Sequence, residues 1–384
     1  MGNDQAKVIK QQEEMIRDLQ QQNLKILALL NHVYEKLDFE KGERQTVTIG
    51  GRKYEFKEKL GQGAFGIVYK ANYNGKVYAI KAVEVSEENA ESILAELKFI
   101  VYIREAFSSR VLPIITVYGA EVIDKKNLYY AMELAEMSLA DFYESIANNA
   151  QKSELSVVIY LFVLRALLFL ESIGIVHSDI KPENFVLIAD SSFQTKWNIK
   201  LIDFGTVKRL EVQKSKLMTA SIGCTPAYVA PEAYQSMIHK KSDIWSLGIM
   251  LYRLIFNDFP KYVNEGNMQA FSESKNELEL PKCPPKYEYL YYIVAKCLKK
   301  NINDRSSASE LYEITFKHLP DICKTIIPDP YINDVNVKTI RDSVQLMKAK
   351  LASSTASAGQ PNNAQSNQFK TLTSKRLIIT PKKD

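Results

Sequence analysis

Val176-His177-Ser178-Asp179-Ile180-Lys181-Pro182-Glu183-Asn184 is the stretch on which the fold turns. It sets a carboxylate, a lysine and a carboxamide at positions i, i+2 and i+5 of a polar run. An apolar segment, Val157 to Ile175, leads into it, and a short strand-like run, Phe185 to Ile188, leads out. The order is therefore helix, loop, strand. A second strand-like run, Asn198 to Ile202, then delivers Asp203-Phe204-Gly205.

Working outward, residues 54–83 read as three strands: Tyr54 to Leu60, Ile67 to Ala71 and Val77 to Val83, with a turn at Asn74-Gly75. Gly61-Gln62-Gly63-Ala64-Phe65-Gly66 joins the first two. G-x-G-x-x-G alone is ambiguous, because dinucleotide-binding folds use it before a helix. Here Ile67, Val68 and Tyr69 continue as a strand, so the glycines form a hairpin flap, and Ala79-Ile80-Lys81 places a lysine on the next strand. Residues 86–107 read as a helix, with Ser86 as N-cap and Ile93, Leu97 and Ile100 as its inward stripe. Glu91 and Glu96 both lie on this helix, and by its residues alone Glu96 reads as a solvated position. Two further strands, 114–121 and 128–133, precede a short connector, 133–136. Downstream, Ala230-Pro231-Glu232 and Asp243-Ile244-Trp245-Ser246-Leu247-Gly248 punctuate a mainly helical stretch ending near Leu319.

Taken together, these motifs resemble those of the eukaryotic protein kinases: a glycine flap, A-I-K, H-x-D-x-K-x-x-N, D-F-G and A-P-E. One position departs: Ser178 stands where arginine is usual. The resemblance implies an α+β, two-lobed kinase fold over residues 54–319. An antiparallel five-stranded N-lobe with one helix (54–133) would sit on a mainly helical C-lobe (137–319). ATP with Mg²⁺ would lie between them. Gly61, Gly63 and Gly66 would let the backbone close over the phosphates, and Phe65 would cap the site. Lys81, paired with Glu96, would hold the phosphates. Val68 and Ala79 above and Val186 below would sandwich the purine, Met132 would guard the back pocket, and backbone groups from Glu133 to Ala135 would meet the adenine edge. Asp179 would orient the substrate hydroxyl, Lys181 would steady the γ-phosphoryl group, and Asn184 and Asp203 would hold the metal.

By the same resemblance Glu232, Arg305 and Asp243 are structural, and Lys181 with Thr225 marks the serine/threonine type acting on protein substrates. The alternative is a pseudokinase whose output is scaffolding. The presence of Lys81, Asp179, Asn184 and Asp203 together argues for the enzyme. Without an arginine at 178, activity is expected not to depend strictly on activation-segment phosphorylation at Thr206, Ser215, Thr219 or Ser221, although Lys208, Arg209, Lys214 and Lys216 could still pair locally, and is expected to answer instead to dimerisation through residues 5–37.

Residues 5–37 carry a heptad pattern, with Ile9, Ile16, Asn23, Leu30 and Leu37 at a, and Gln12, Leu19, Ile26 and Val33 at d. An Asn at a favours a parallel dimer in one register, so a coiled-coil homodimer is one expectation. Leu27 and Leu29 widen the apolar face and suit the other, a helix packed on the adjacent domain. Residues 38–53 read as a polar linker, and residues 350–384 as a disordered tail with a basic end.

The bulk numbers suit a globular chain: 384 residues, 46% hydrophobic, 25% charged. A net charge of +5 is too small for wholesale nucleic-acid binding. The four cysteines show no metal-ligand spacing, and the longest apolar run, Val157 to Leu170, contains Arg165 and is short for a membrane span. The expectation is an intracellular protein, cytoplasmic, with a tail whose basic end could also serve as a nuclear signal.

Overall fold

The computed structural model describes residues 46–63, 66–107, 112–123, 126–147, 151–193, 195–209, 217–218, 225–327 and 378–379. The heptad segment 5–37, most of the linker and most of the tail lie outside the described residues, as does Phe65.

The strands in chain order are β1 (Thr46–Ile49), β2 (Arg52–Gly63), β3 (Gly66–Tyr73), β4 (Lys76–Glu84), β5 (Val117–Ile123), β6 (Asn127–Glu133), β7 (Met137–Ser138), β8 (Ile175–Val176), β9 (Phe185–Ala189), β10 (Trp197–Leu201), β11 (Lys208–Arg209), β12 (Leu217–Met218), β13 (Met237–Ile238) and β14 (Ile378–Ile379). The helices longer than seven residues are α1 (Ala90–Ala106), α2 (Leu139–Ile146), α3 (Lys152–Ser172), α4 (Ser242–Phe256), α5 (Glu288–Cys297) and α6 (Ala308–His318).

The N-lobe sheet has seven strands, in the order β1-β2-β3-β4-β6-β5-β14, where five were expected. The five expected strands are its centre, and both additions come from segments read as irregular. In the supposed linker, Thr46–Ile49 pairs antiparallel with β2 through a turn at Gly50 and Gly51, whose φ values of 55° and 80° suit glycine. Alternation in this hairpin buries Val47 and Ile49 with Tyr54 against Tyr78, Ile80 and Tyr129, a second small core on one face of the sheet. Gly50 N donates to Glu121 Oε2 at 2.9 Å, so the hairpin turn is pinned to β5. In the supposed disordered tail, Ile378 and Ile379 pair with Glu121 and Ala120 on the free edge of β5.

α1 starts later than its sequence suggests. Asn89, not Ser86, precedes the first helical residue. Ser86 and Asn89 bond reciprocally: Ser86 N donates to Asn89 Oδ1 at 2.8 Å and Asn89 N to Ser86 Oγ at 3.4 Å. This side-chain turn satisfies the backbone outside the helix and delays its start. The strand expected at 114–121 begins at Val117 instead, because residues 113–115 are drawn to β10. Ile115 N donates to Leu201 O at 2.9 Å, and Leu201 N to Pro113 O at 3.0 Å.

α3 runs 21 residues, close to the buried central helix that the apolar residues from Leu155 to Ile173 imply, and its length and composition would suit a membrane span. It is instead the buried axis of the C-lobe, with residues 159–164 at 1% exposure or less. α4 packs against it with Trp245 fully buried. The C-lobe also extends past Leu319: Pro320–Ile326 is a further helical turn pair whose Cys323 and Ile326 join the core.

Candidate active site

A cleft of about 610 Å³ lies between the lobes. Of the sequence-selected residues, Gly61, Gly66, Val68, Ala79, Lys81, Glu96, Met132, Glu133, Ala135, Lys181, Asn184, Val186 and Asp203 all line it. Gly63 pairs with Gly66 at the hairpin end, and Asp179 is bonded to two of the lining residues, Lys181 and Asn184.

Gly66 is held at φ 117°, and a Cβ there would come within 2.1 Å of the Ala82 carbonyl oxygen. Only glycine lets β3 leave the flap this close to β4. A Cβ on Gly61 would meet nothing within 4 Å, so its lack of a side chain serves the cleft and not the packing.

On β4, Lys81 Nζ lies 3.3 Å from Glu96 Oε1 of α1. The geometry selects Glu96 over Glu91 as the lysine's partner. Burial works against the Lys81 ammonium, but the charges of Glu96 and Asp203 outweigh it and hold its pKa above the ordinary value. The other Glu96 oxygen accepts from the Tyr130 hydroxyl at 2.9 Å.

Below the cleft, the catalytic-loop residues form one network. Lys181 Nζ lies 2.7 Å from Asp179 Oδ2 and 2.6 Å from Thr225 Oγ1. Asn184 Nδ2 donates to Asp179 Oδ2 at 2.9 Å and to the Asp179 carbonyl at 2.8 Å. Thr225 N donates to Asp179 Oδ1 at 3.0 Å, which ties the far end of the activation segment to the loop. The loop's own backbone is strained at Ser178, φ 71°, as is the D-F-G run at Asp203, φ 63°. Its support is Asp243, on α4, whose two carboxylate oxygens accept from His177 N at 2.7 Å and Ser178 N at 2.9 Å. Burial pushes the Asp243 carboxyl above its ordinary pKa, opposed by His177 and those two N–H bonds.

Phe204 is buried, with its ring 4.5 Å from that of Phe99 on α1 and 5.9 Å from that of His177. Ser92 Oγ, on α1, donates to Gly205 O at 3.1 Å. Thr206 Oγ1 donates to His177 O at 2.8 Å, and β11 pairs with β8. Helix, D-F-G run and catalytic loop are thus fastened to one another by neutral groups. Glu232 and Arg305 form a two-pronged ion pair, Nη1–Oε1 2.7 Å and Nη2–Oε2 2.9 Å, with Arg305 fully buried.

Six participants escaped sequence reasoning. Tyr130 reads as one more core aromatic on a strand. Lys200 reads as an outward polar residue of β10, yet it is 6% exposed and bonded to Glu133. Leu60, Ile115, Val117 and Ile202 line the cleft but carry no signal beyond being apolar.

A β-lobe whose lysine is paired to its single long helix, set over a helical lobe that presents a carboxylate–lysine–carboxamide loop, defines the protein kinase class of folds. Known proteins agree. The protein kinase domain family matches residues 54–316. The chain is 29% identical over 307 residues to calcium-dependent protein kinase 29 of Arabidopsis thaliana, covering 78% of this chain and 54% of that one. It is 30% identical over 274 residues to the serine/threonine-protein kinase pakH of Dictyostelium discoideum, covering 70% and 50%. It is 29% identical over 292 residues to the dual specificity protein kinase Ttk of Danio rerio, covering 72% and 28%. The chain belongs to the protein kinase family. It spans about half the length, or less, of these curated relatives.

Proposed function

We propose that this chain is an ATP- and Mg²⁺-dependent protein kinase that transfers the γ-phosphoryl group of ATP to serine or threonine hydroxyls of protein substrates. The observation that carries this reading is the convergence on one cleft of Lys81, Lys181, Asn184 and Asp203, with Asp179 bonded to Lys181 and Asn184. The serine/threonine preference rests on Lys181 and Thr225, which bond each other at 2.6 Å beside Asp179, and on the kinases the chain resembles.

The donor set fits magnesium. Asp203 offers a carboxylate, and Asn184 offers its carboxamide oxygen once Nδ2 is committed to Asp179. No group of three or more His, Cys, Asp or Glu that could hold a metal exists among the described residues. That suits Mg²⁺, which takes hard oxygens and keeps substrate phosphates in its shell in place of an all-protein cage. Bound there, the ion would neutralise charge developing on the phosphates.

The remaining work falls to the chain's own residues. Lys81, with its charge maintained by Glu96, would hold the phosphates. Asp179 Oδ2 would take or orient the proton of the incoming hydroxyl, and Lys181, within reach of both Asp179 and Thr225, would steady the transferring group. Positioning and electrostatics supply the rate, since the protein forms no covalent bond in such a transfer. A peptide-array assay with Mg-ATP on wild type and Asp179→Asn tests the proposal. Phosphate incorporation into Ser or Thr peptides, lost in the variant, is the expected result; no incorporation by wild type overturns it.

A further inference from the structure

Lys81 and Tyr130 are direct cross-strand partners in the β4–β6 register, so their side chains share one face of the sheet. On that face the lysine ammonium lies 5.5 Å from the centre of the Tyr130 ring and 3.3 Å from Glu96 Oε1. The Tyr130 hydroxyl takes the second oxygen, Glu96 Oε2, at 2.9 Å. Tyr130 is 1% exposed and Glu96 is 8% exposed. The pair is therefore a triad, in which one carboxylate is divided between an ammonium and a phenol.

We propose that Tyr130 is a positioning residue that latches α1 in its inward setting through Glu96, making the lysine–glutamate pair the resting state of the site.

The argument is one of buried polar groups. Were α1 to swing out, Glu96 could follow its helix to water, but Tyr130 belongs to the sheet and would stay behind. Its O–H would then lose the carboxylate oxygen that it now donates to at 2.9 Å. Leaving a buried donor without its charged acceptor shifts such an equilibrium by about tenfold or more. The lysine adds a second tie, because its ammonium faces both the carboxylate and the aromatic ring. Burial first, then the charges of Glu96 and Asp203, keep the phenol protonated well above its usual range, so the donor persists at any working pH. A Phe at this position would pack as well and latch nothing.

The inference rests on the reading that Lys81 holds nucleotide phosphates, and the test separates the two. Full-length wild type, Tyr130→Phe, Glu96→Ala and the double variant are compared in KM for ATP, kcat and deuterium uptake by α1 amides. Tyr130→Phe should raise KM for ATP about fivefold to tenfold and speed α1 exchange about tenfold, with a modest fall in melting temperature. In the Glu96→Ala background it should do neither, since the acceptor is already gone. Unchanged KM and exchange in Tyr130→Phe, or an equal effect in both backgrounds, overturns the latch. Should Tyr130→Phe lower the melting temperature markedly, Tyr130→Met, which fills the same slot without a hydroxyl, is read by the same criteria. If wild type transfers no phosphate, the functional reading fails while the exchange measurement still decides the latch.

Discussion

The Lys200 ammonium and the Glu133 carboxylate meet at 2.6 Å across the two lobes. Glu133 closes β6 at the start of the hinge, and its Oε1 also accepts from Thr116 N at 2.6 Å. Lys200 lies three residues before Asp203, on a strand end whose Ile202 N donates to Asn184 O at 2.8 Å. One short piece of β10 thus gauges the hinge, the N-lobe and the residues Asn184 and Asp203 against each other.

Removing one partner of this pair strands the other's charge in a buried place. Lys200→Met is expected to destabilise the protein by about 3–5 kcal/mol, as loss of one member of a buried pair does. The double change Lys200→Met, Glu133→Leu should recover much of that loss, because two apolar groups strand no charge. Urea midpoints of the three proteins check this. A single variant as stable as wild type would show that the pair supports nothing.

Arg305 should be even less forgiving. Besides Glu232 it donates to the carbonyls of Lys299 at 2.9 Å and Lys241 at 3.1 Å, and its guanidinium lies 5.1 Å from the Trp245 ring centre. An ammonium cannot reproduce that fork. Arg305→Lys is expected to cost about 3 kcal/mol or more in the urea midpoint analysis. A loss below about 0.5 kcal/mol, the range of ordinary surface changes, would contradict the assignment of this pair as the C-lobe's anchor.

How much of this was legible beforehand depends on whether chemistry or packing chose the residue. Asp179, Lys181, Asn184 and Asp203 are spaced by the needs of a site, and spacing is what a sequence displays. Glu96 could be chosen over Glu91 only through a resemblance, because both are carboxylates on one helix and the choice lies with Lys81 on another element. Tyr130 and Lys200 are invisible for the same reason: their partners are distant in the chain, and neither residue type is unusual in a strand. The β1 hairpin was missed because Thr46-Val47-Thr48-Ile49 is short and follows a charged stretch. Its strand character comes from pairing with β2 and from the Gly50–Glu121 bond, which are tertiary.

The two flap glycines should separate experimentally. Gly66→Ala combines a 2.1 Å clash with a backbone oxygen and a φ of 117°, so it is expected to destabilise the N-lobe by more than about 1 kcal/mol. Gly61→Ala meets open space and should stay within about 0.5 kcal/mol of wild type. Under the proposed function it should still raise KM for ATP, since its Cβ projects into the room the nucleotide needs. Thermal melts with ATP titrations read both effects. Equal melting temperatures for the two variants would contradict the close approach at Gly66.

Lys81 gives a pH prediction of definite sign. Its pKa in the folded protein is above the ordinary 10.5, because carboxylate charges outweigh burial. A cation whose folded pKa is raised contributes its full stabilisation below the unfolded pKa and loses it as pH climbs through the folded one. The stability difference between wild type and Lys81→Met should therefore be flat from pH 7 to pH 9 and shrink only above about 10.5. A difference that already falls between pH 7 and pH 9 would mean that burial, not Glu96, governs the lysine.

The last expectation concerns the activation segment. Arg residues of a catalytic loop can fasten a phosphorylated segment by charge, but here position 178 is a serine whose Oγ is buried without a partner beside a small cavity lined by Asp243, Ser242 and Ser246. No cationic side chain stands at that position to pair with a phosphate. The segment is instead held at its start by Thr206 on His177 O and by β11 on β8, and at its end by Thr225 N on Asp179 Oδ1. These contacts are neutral or use a carboxylate, and none is created by phosphorylation. Under the proposed function, protein stripped of phosphate, verified by intact mass, should keep at least about half of its kcat/KM for ATP, because no arginine at 178 pairs with a segment phosphate. A hundredfold fall on dephosphorylation would instead require a cationic phosphate site elsewhere on the segment, such as Lys208 or Arg209, and would overturn the expectation drawn from Ser178.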